Sequence, residues 1–99
     1  MSECLLVIVV TPAMEEEMVD WLLQQDSLSG FSSMAVNGHG TSHTQLSAAE
    51  QVAGRQRKVM FHAHGEEAVL RELLDELKTK FSASGIHYWL MPLLAGGHL

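Results

Sequence analysis

The stretch Cys4–Val10 reads CLLVIVV and decides the fold, because every residue in it is apolar. A strand with one face in water alternates apolar and polar residues, whereas this stretch has no polar residue in either alternating set. Its short length and its β-branched residues favour a strand over a helix. We therefore predict a strand that is buried on both of its faces.

Two amphipathic helices are predicted downstream of this strand. The first runs from Pro12 to about Gln25, because Thr11 can cap it and a proline suits the first helical position. The second begins at Glu66 and Glu67 and ends near Lys80, so its charges match the helix dipole. Three further strands are predicted at Phe31–Val36, Arg55–His64 and Ile86–Met91.

The predicted order βαββαβ is the ferredoxin-like arrangement of an α+β protein. Two helices cover one face of a four-stranded antiparallel sheet, and the other face is bare in a single chain. That face is too apolar for water, because Cys4–Val10 is apolar on both faces and because Tyr88 and Trp89 lie on opposite faces of the last strand. We therefore expect residues 1–99 to form one domain whose bare face is buried between subunits.

Charge and hydropathy exclude several classes of protein. The net charge of −6 and the six basic residues argue against nucleic-acid binding, which needs a broad basic surface. No segment has the roughly 20 apolar residues of a membrane span, and the N-terminus lacks the positive charge of a signal peptide. The single cysteine, Cys4, cannot form an intrachain disulfide. A soluble cytoplasmic protein with no membrane insertion is expected.

A long loop at about residues 37–54 separates the second and third strands, and loops of this length are usually functional or disordered. The backbone at Gly38 and Gly40 can approach phosphate oxygens closely. Arg55, Arg57 and Lys58 are three of the six basic residues of the chain, and they can neutralise an anion. These five residues form a candidate effector site; pairing of the cations with acidic neighbours is the alternative.

Histidines form the second candidate site, which is for a metal ion. His62 and His64 are two residues apart on a predicted strand and therefore point to the same side. His39 and His43 lie in the long loop, and Met60 adds a soft ligand that suits copper(I). We predict a copper or zinc site on these histidines; surface or interface histidines are the alternative.

Catalytic signatures are missing from the sequence, which has no nucleophile elbow, paired-carboxylate motif or metalloprotease signature. A catalytic triad could be assembled from Ser42, His43 and Glu50. Catalysis needs rigidly positioned groups, and a loop gives no reason to expect them. Ser47 and Glu50 instead have the spacing of a capping box, which predicts one or two helical turns over Ala48–Ala53. We therefore predict a non-enzymatic protein.

Five runs of sequence carry a resemblance to a known family: Val9–Pro12, Asp20–Leu23, Val36–Gly40, Ser47–Arg57 and His87–Trp89. Through these runs the chain resembles an uncharacterised PII-like family of small bacterial proteins that is often encoded beside heavy-metal efflux pumps. More distantly, it is similar to the nitrogen regulatory PII proteins. The chain departs from those proteins after the second helix, where only Gly85 matches their glycine-rich phosphate loop.

The resemblance implies a homotrimer whose sheets face inward and whose effector clefts lie between subunits, beneath the loop at 37–54. It implies a non-enzymatic regulatory or sensor protein that binds an adenine nucleotide or another anion. Signalling would pass through that loop to a regulated partner protein. The link of the family to efflux pumps implies the alternative, a metal-binding accessory protein for heavy-metal efflux or resistance.

Overall fold

Four strands and two α-helices make up the part of the chain that the computed structural model describes, residues 2–40 and 55–99. The elements are β1 (Glu3–Val10), a short 3-10 helix (Pro12–Met14), α1 (Glu15–Leu23), β2 (Ser32–Gly38), β3 (Gln56–Glu66), α2 (Glu67–Lys80) and β4 (His87–Pro92). Their order is the βαββαβ order that the sequence predicts.

The sheet has the strand order β2-β3-β1-β4, and every neighbouring pair is antiparallel. β1 is therefore a central strand, and its residue Val7 lies opposite His62 of β3 and Trp89 of β4. A central strand with both faces covered needs an almost continuous apolar sequence, which is what β1 has. The predicted α+β, ferredoxin-like fold is confirmed.

Both helices contribute to a core on one face of the sheet. Leu6 and Ile8 of β1 are 0% and 1% exposed on this face. The rings of Trp21 and Phe81 meet edge to face with their centres 5.5 Å apart, which joins α1 to the end of α2. The buried core cluster consists of Cys4, Leu6, Ile8, Val10, Met18, Trp21, Leu22, Val59, Phe61, Leu70, Leu73, Leu74, Leu77 and Phe81.

The charges of α2 follow the direction of its dipole, with Glu67 in the first turn and Lys78 and Lys80 in the last. Nε of Arg71 donates a hydrogen bond to Oε2 of Glu67 at 2.7 Å, and this bond raises the pKa of Arg71 above its ordinary value. Within residues 2–40 and 55–99, neither this helix nor any other is long and apolar enough to cross a membrane.

The opposite face of the sheet carries neither helix. Direct cross-strand partners share a face, so the register identifies its members. They are Ser32, Met34, Val36 and Gly38 of β2, Gln56, Lys58, Met60, His62, His64 and Glu66 of β3, Glu3, Leu5, Val7 and Val9 of β1, and His87, Trp89 and Met91 of β4. We call this set the open face. Half of its sixteen side chains are apolar, and three of these are well exposed, Trp89 by 42%, Met34 by 39% and Met91 by 38%.

β3 continues past the point where its end was expected. Gly65, the first residue after the predicted end at His64, lies inside the strand opposite Cys4. Because β1 begins at Glu3, which lies opposite Glu66, β3 has a pairing partner as far as Glu66. Pairing with a neighbouring strand outweighs the low strand preference of one glycine.

Smaller differences occur at the other boundaries. α1 ends at Leu23 rather than Gln25, and β2 extends to Gly38 rather than stopping at Val36. β2 therefore includes the first residues of the loop expected at about 37–54. The rest of that loop from residue 41 onward, with the helical turns predicted over Ala48–Ala53, lies outside the described residues.

Replacing Leu70 by alanine tests the position of the core. Leu70 is 0% exposed in α2, whereas Leu23 in α1 is 69% exposed. We expect Leu70→Ala to lower the free energy of unfolding by about 2–5 kcal/mol, because it removes buried contacts and leaves a cavity. The matched variant Leu23→Ala is expected to change it by less than about 0.5 kcal/mol. Urea unfolding at one protein concentration measures the free energy of unfolding of both variants. Equal losses of stability in the two variants would contradict the position of the core.

Candidate functional site

The residues predicted to bind an effector lie where β2 and β3 leave the sheet. Gly38 ends β2 and lies opposite Gln56, the first residue of β3. A Cβ atom built on Gly38 would lie 3.3 Å from Cγ of Lys58 and 3.5 Å from the carbonyl oxygen of Gln56. The side chain of Lys58 therefore occupies the space into which a side chain at Gly38 would project. The structure brings Gly38 and Lys58 together at this end of the sheet.

The two arginines occupy different positions from Lys58. Lys58 lies opposite Val36 on the open face, whereas Arg57 lies opposite Asn37, and strand alternation turns it to the helix-covered side. Arg55 is exposed and precedes β3. The predicted cations therefore do not form one patch within the chain, because consecutive strand residues point to opposite faces. A ligand that contacts all three has to reach around the end of the sheet.

The turn after α2 forms a cavity that no motif in the sequence indicates. Its volume is about 240 Å³, and its lining includes Lys78, Ser82, Ser84 and Tyr88. Nζ of Lys78 lies 5.5 Å from the centre of the Tyr88 ring, and Oγ of Ser84 accepts a hydrogen bond from the backbone N–H of Ile86 at 3.3 Å. A cation, two hydroxyls and an aromatic ring suit a small polar molecule.

The shape of this turn depends on two residues with positive φ. Gly85 has φ 81°, and Ala83 has φ 59°. Glycine takes such angles freely, so Gly85 was readable as a turn residue. Alanine takes such angles rarely, so the sequence does not indicate the positive φ at Ala83.

A second cavity, of about 390 Å³, lies beside α1 and the end of α2. Its charged lining residues are Glu16, Glu17, Asp20 and Lys80. Three carboxylates against one ammonium group repel an anion. The anionic effector predicted from the sequence therefore does not fit this cavity.

Three of the four predicted metal residues lie within the described part of the chain, and His43 lies outside it. His62 and His64 share the open face, as strand alternation predicts. Nε2 of His62 lies 3.3 Å from Sδ of Met60, the soft ligand expected beside it. His39 is exposed just beyond the end of β2 and is not on this face.

His64 has a different neighbour, which no sequence motif indicates. The ring of His98, in the segment after β4, has its centre 6.1 Å from that of His64. No periodicity links a strand residue with a chain terminus, so sequence patterns could not indicate this contact. In residues 2–40 and 55–99, no three histidine, cysteine, aspartate or glutamate side chains are grouped so that they could hold a metal ion.

This chain resembles one known family and several solved structures over nearly its whole length. The profile of a family described as "Protein of unknown function (DUF3240)" matches residues 1–99. A solved DUF3240 family protein from Shewanella baltica OS155 is 25% identical with a TM-score of 0.79, covering 100% of this chain and 98% of that one. No curated protein sequence matches the chain.

Two further structures share the fold at lower identity. CPII, a nitrogen regulatory PII-like protein from Thiomonas intermedia K12 solved with ADP, AMP and bicarbonate, is 20% identical with a TM-score of 0.71, covering 100% of this chain and 98% of that one. The periplasmic divalent cation tolerance protein CutA from Archaeoglobus fulgidus is 12% identical with a TM-score of 0.68, covering 95% and 86%. The predicted likeness to an uncharacterised PII-like family is confirmed.

An alanine at Gly38 tests its contact with Lys58. We expect Gly38→Ala to displace the Lys58 side chain, because 3.3 Å from the new Cβ to Cγ is a tight contact. Overpacking costs about 1–3 kcal/mol in a rigid core, and the flexible Lys58 side chain places this substitution at the low end of that range. Side-chain NMR shifts of Lys58 measure the displacement. Gly40→Ala is the control, since nothing lies within 4 Å of a Cβ at Gly40. Unchanged Lys58 signals in Gly38→Ala would contradict the contact.

Proposed function

This chain belongs to the DUF3240 family, and from that membership and its PII-like fold we propose that it is a non-enzymatic regulatory protein that senses a small anionic effector. The observation that carries the proposal is the closeness of the Lys58 side chain to Gly38 at the end of β2. It places a cationic side chain beside a glycine, and anion sites use both cations and close approach to the backbone.

The class of effector follows from the charges at this end of the sheet. Lys58 approaches from the open face, and the exposed Arg55 lies just before β3. An adenine nucleotide or a smaller anion such as bicarbonate fits a site of this kind. CPII, which shares the fold, was solved with ADP, AMP and bicarbonate. The cavity at the turn after α2, with Lys78 and two serines, offers a second group of polar contacts for a larger ligand.

The assembly that we propose is a homotrimer with the open faces inward. Trp89, Met34 and Met91 are each exposed by 38–42% on that face in a single chain. Large apolar side chains that a single chain exposes on one face of its sheet favour association through that face. Burial of the face between copies removes it from solvent and sets the ends of β2 and β3 against a neighbouring subunit. Effector clefts between subunits follow from this arrangement.

Signalling in this proposal passes through the loop at about 37–54. An effector held by Gly38 and Lys58 contacts the residues at which that loop begins and ends. Binding then changes how the loop meets a regulated partner protein in the cytoplasm. The sensor needs no catalytic group, and Lys58 acts only through its charge.

A metal-binding accessory protein is the second candidate function. The contact of 3.3 Å between Nε2 of His62 and Sδ of Met60 favours it, because imidazole and thioether together suit copper(I). CutA, which is named for divalent cation tolerance, also shares the fold.

Titration with ADP, AMP and bicarbonate tests the effector site. We expect Lys58→Met to weaken binding of the preferred anion by about tenfold to a hundredfold, since a hydrogen bond to a charged group contributes about 1.5–3 kcal/mol. Lys80→Met is the matched control, because Lys80 ends α2 and is not among the proposed effector contacts. Calorimetry measures both. Equal affinities for wild type and Lys58→Met, or no binding of any of the three to wild type, would contradict the proposal.

A charge at Trp89 tests the assembly. We expect wild type to have three times the mass of one chain by light scattering. Trp89→Glu is expected to have the mass of one chain, because a carboxylate buried between subunits without a partner costs several kcal/mol. Leu23→Glu serves as the control, since Leu23 is 69% exposed on α1, away from the open face. A monomeric wild type, or a trimeric Trp89→Glu, would contradict burial of the open face.

A further inference from the structure

The segment after β4 returns to the open face at the corner where β1 begins. The backbone N–H of Leu93 donates a hydrogen bond to the carbonyl oxygen of Glu3 at 2.9 Å, which attaches the start of this segment to β1. Further along, His98 comes back to His64 of β3, with the ring centres 6.1 Å apart and the rings inclined at 43°. Both histidines are exposed. Two imidazoles that are remote in sequence therefore meet at one corner of the sheet.

The spacing of these rings fits a shared ion. With metal–nitrogen bonds of about 2.0–2.1 Å, two imidazoles that bind one ion have their ring centres about 5 to 6 Å apart. The observed 6.1 Å is at the upper end of this range, so a small movement of His98 suffices. The rings do not stack face to face, and each can turn a nitrogen towards the space between them.

A second observation concerns the carboxylate of Glu3. Its Oε2 atom is buried, and among the described residues it has no hydrogen-bond partner. Alternation along β1 puts Glu3 on the same face as Leu5, which lies directly opposite His64. A buried carboxylate oxygen without a partner is costly, and an ion or an ordered water is the usual reason for it. The carboxylate of Glu3 therefore lies on the same face of the sheet as His64, two residues along β1 from the partner of His64.

We propose that His64 and His98 together bind a divalent transition-metal cation, either Zn²⁺ or Cu²⁺. Neutral imidazole suits both ions, and a carboxylate near a ligating histidine orients its ring and raises its basicity. We assign that role to Glu3, whose Oε2 atom has no other partner among the described residues, and water completes the coordination. Copper(I) is less suitable here, because Cys4 is buried in the core cluster and Met60 is in contact with His62.

This site goes beyond the effector proposal and is independent of it. Its histidines lie near the end of β3, whereas Lys58 lies near the strand's first residue. It also differs from the pairing of His62 with His64 that strand alternation suggests. In the proposed site the C-terminal segment supplies one of two protein ligands. Metal binding consequently ties that segment to the sheet.

Zinc calorimetry on the untagged, metal-free protein tests the proposal. We expect His64→Gln and His98→Gln each to weaken Zn²⁺ binding by at least about tenfold, since loss of even an outer partner of a metal ligand typically costs that much. His87→Gln is the matched control, because His87 lies on the open face two strands from β3. Electron paramagnetic resonance of the Cu²⁺-loaded protein counts the coordinating nitrogens independently of the affinity. We expect two in wild type and one in either variant.

Three results would overturn the proposal: no Zn²⁺ binding by wild type, equal binding by wild type and His98→Gln, or a loss in His62→Gln and His64→Gln that His98→Gln does not share. The last result would assign the ion to the strand pair alone. His98 is exposed near the chain end, so His98→Gln is expected to fold like wild type, which circular dichroism checks. Its affinity for ADP, AMP and bicarbonate is expected to be unchanged, so a failure of the metal site is distinguishable from a failure of the effector site.

Discussion

Burial of β1 on both of its faces is the constraint from which the rest of the structure follows. Leu6 and Ile8 point into the core beneath the helices, and Val7, on the other face, is still only 2% exposed between its neighbours His62 and Trp89. A strand of this kind has to be central, with partners on both sides. One face is then filled by α1 and α2. The other is completed, in our proposal, by copies of the same chain.

Polar side chains follow β3 along the open face. Along the open face of β3, Lys58 stands near one end and His64 near the other, with Met60 and His62 between them. Gly38 lies beside Lys58, and His98 lies beside His64. In our proposals, assembly and ligand binding therefore share one strand, so a ligand at either end would affect how subunits meet.

Much of the fold was readable from the sequence, because strand periodicity and helix charges are local signals. The alternation of strand residues correctly placed His62 and His64 on one face. The same alternation puts Arg57 and Lys58 on opposite faces, although they are adjacent in sequence and were predicted to share one site. Two features depend on tertiary structure and were not readable. Gly65 stays in β3 only because β1 pairs with it, and His98 reaches His64 only because the chain turns back after β4.

The central claim is that the open face is buried in the working protein, and the fluorescence of Trp89 tests it most directly. The other tryptophan, Trp21, is 6% exposed in the core and can be replaced by phenylalanine, which keeps an aromatic ring against Phe81. In Trp21→Phe at micromolar concentration, we predict blue-shifted Trp89 emission that acrylamide quenches poorly. Emission at the wavelength of tryptophan in water, with full quenching, would contradict burial of this face.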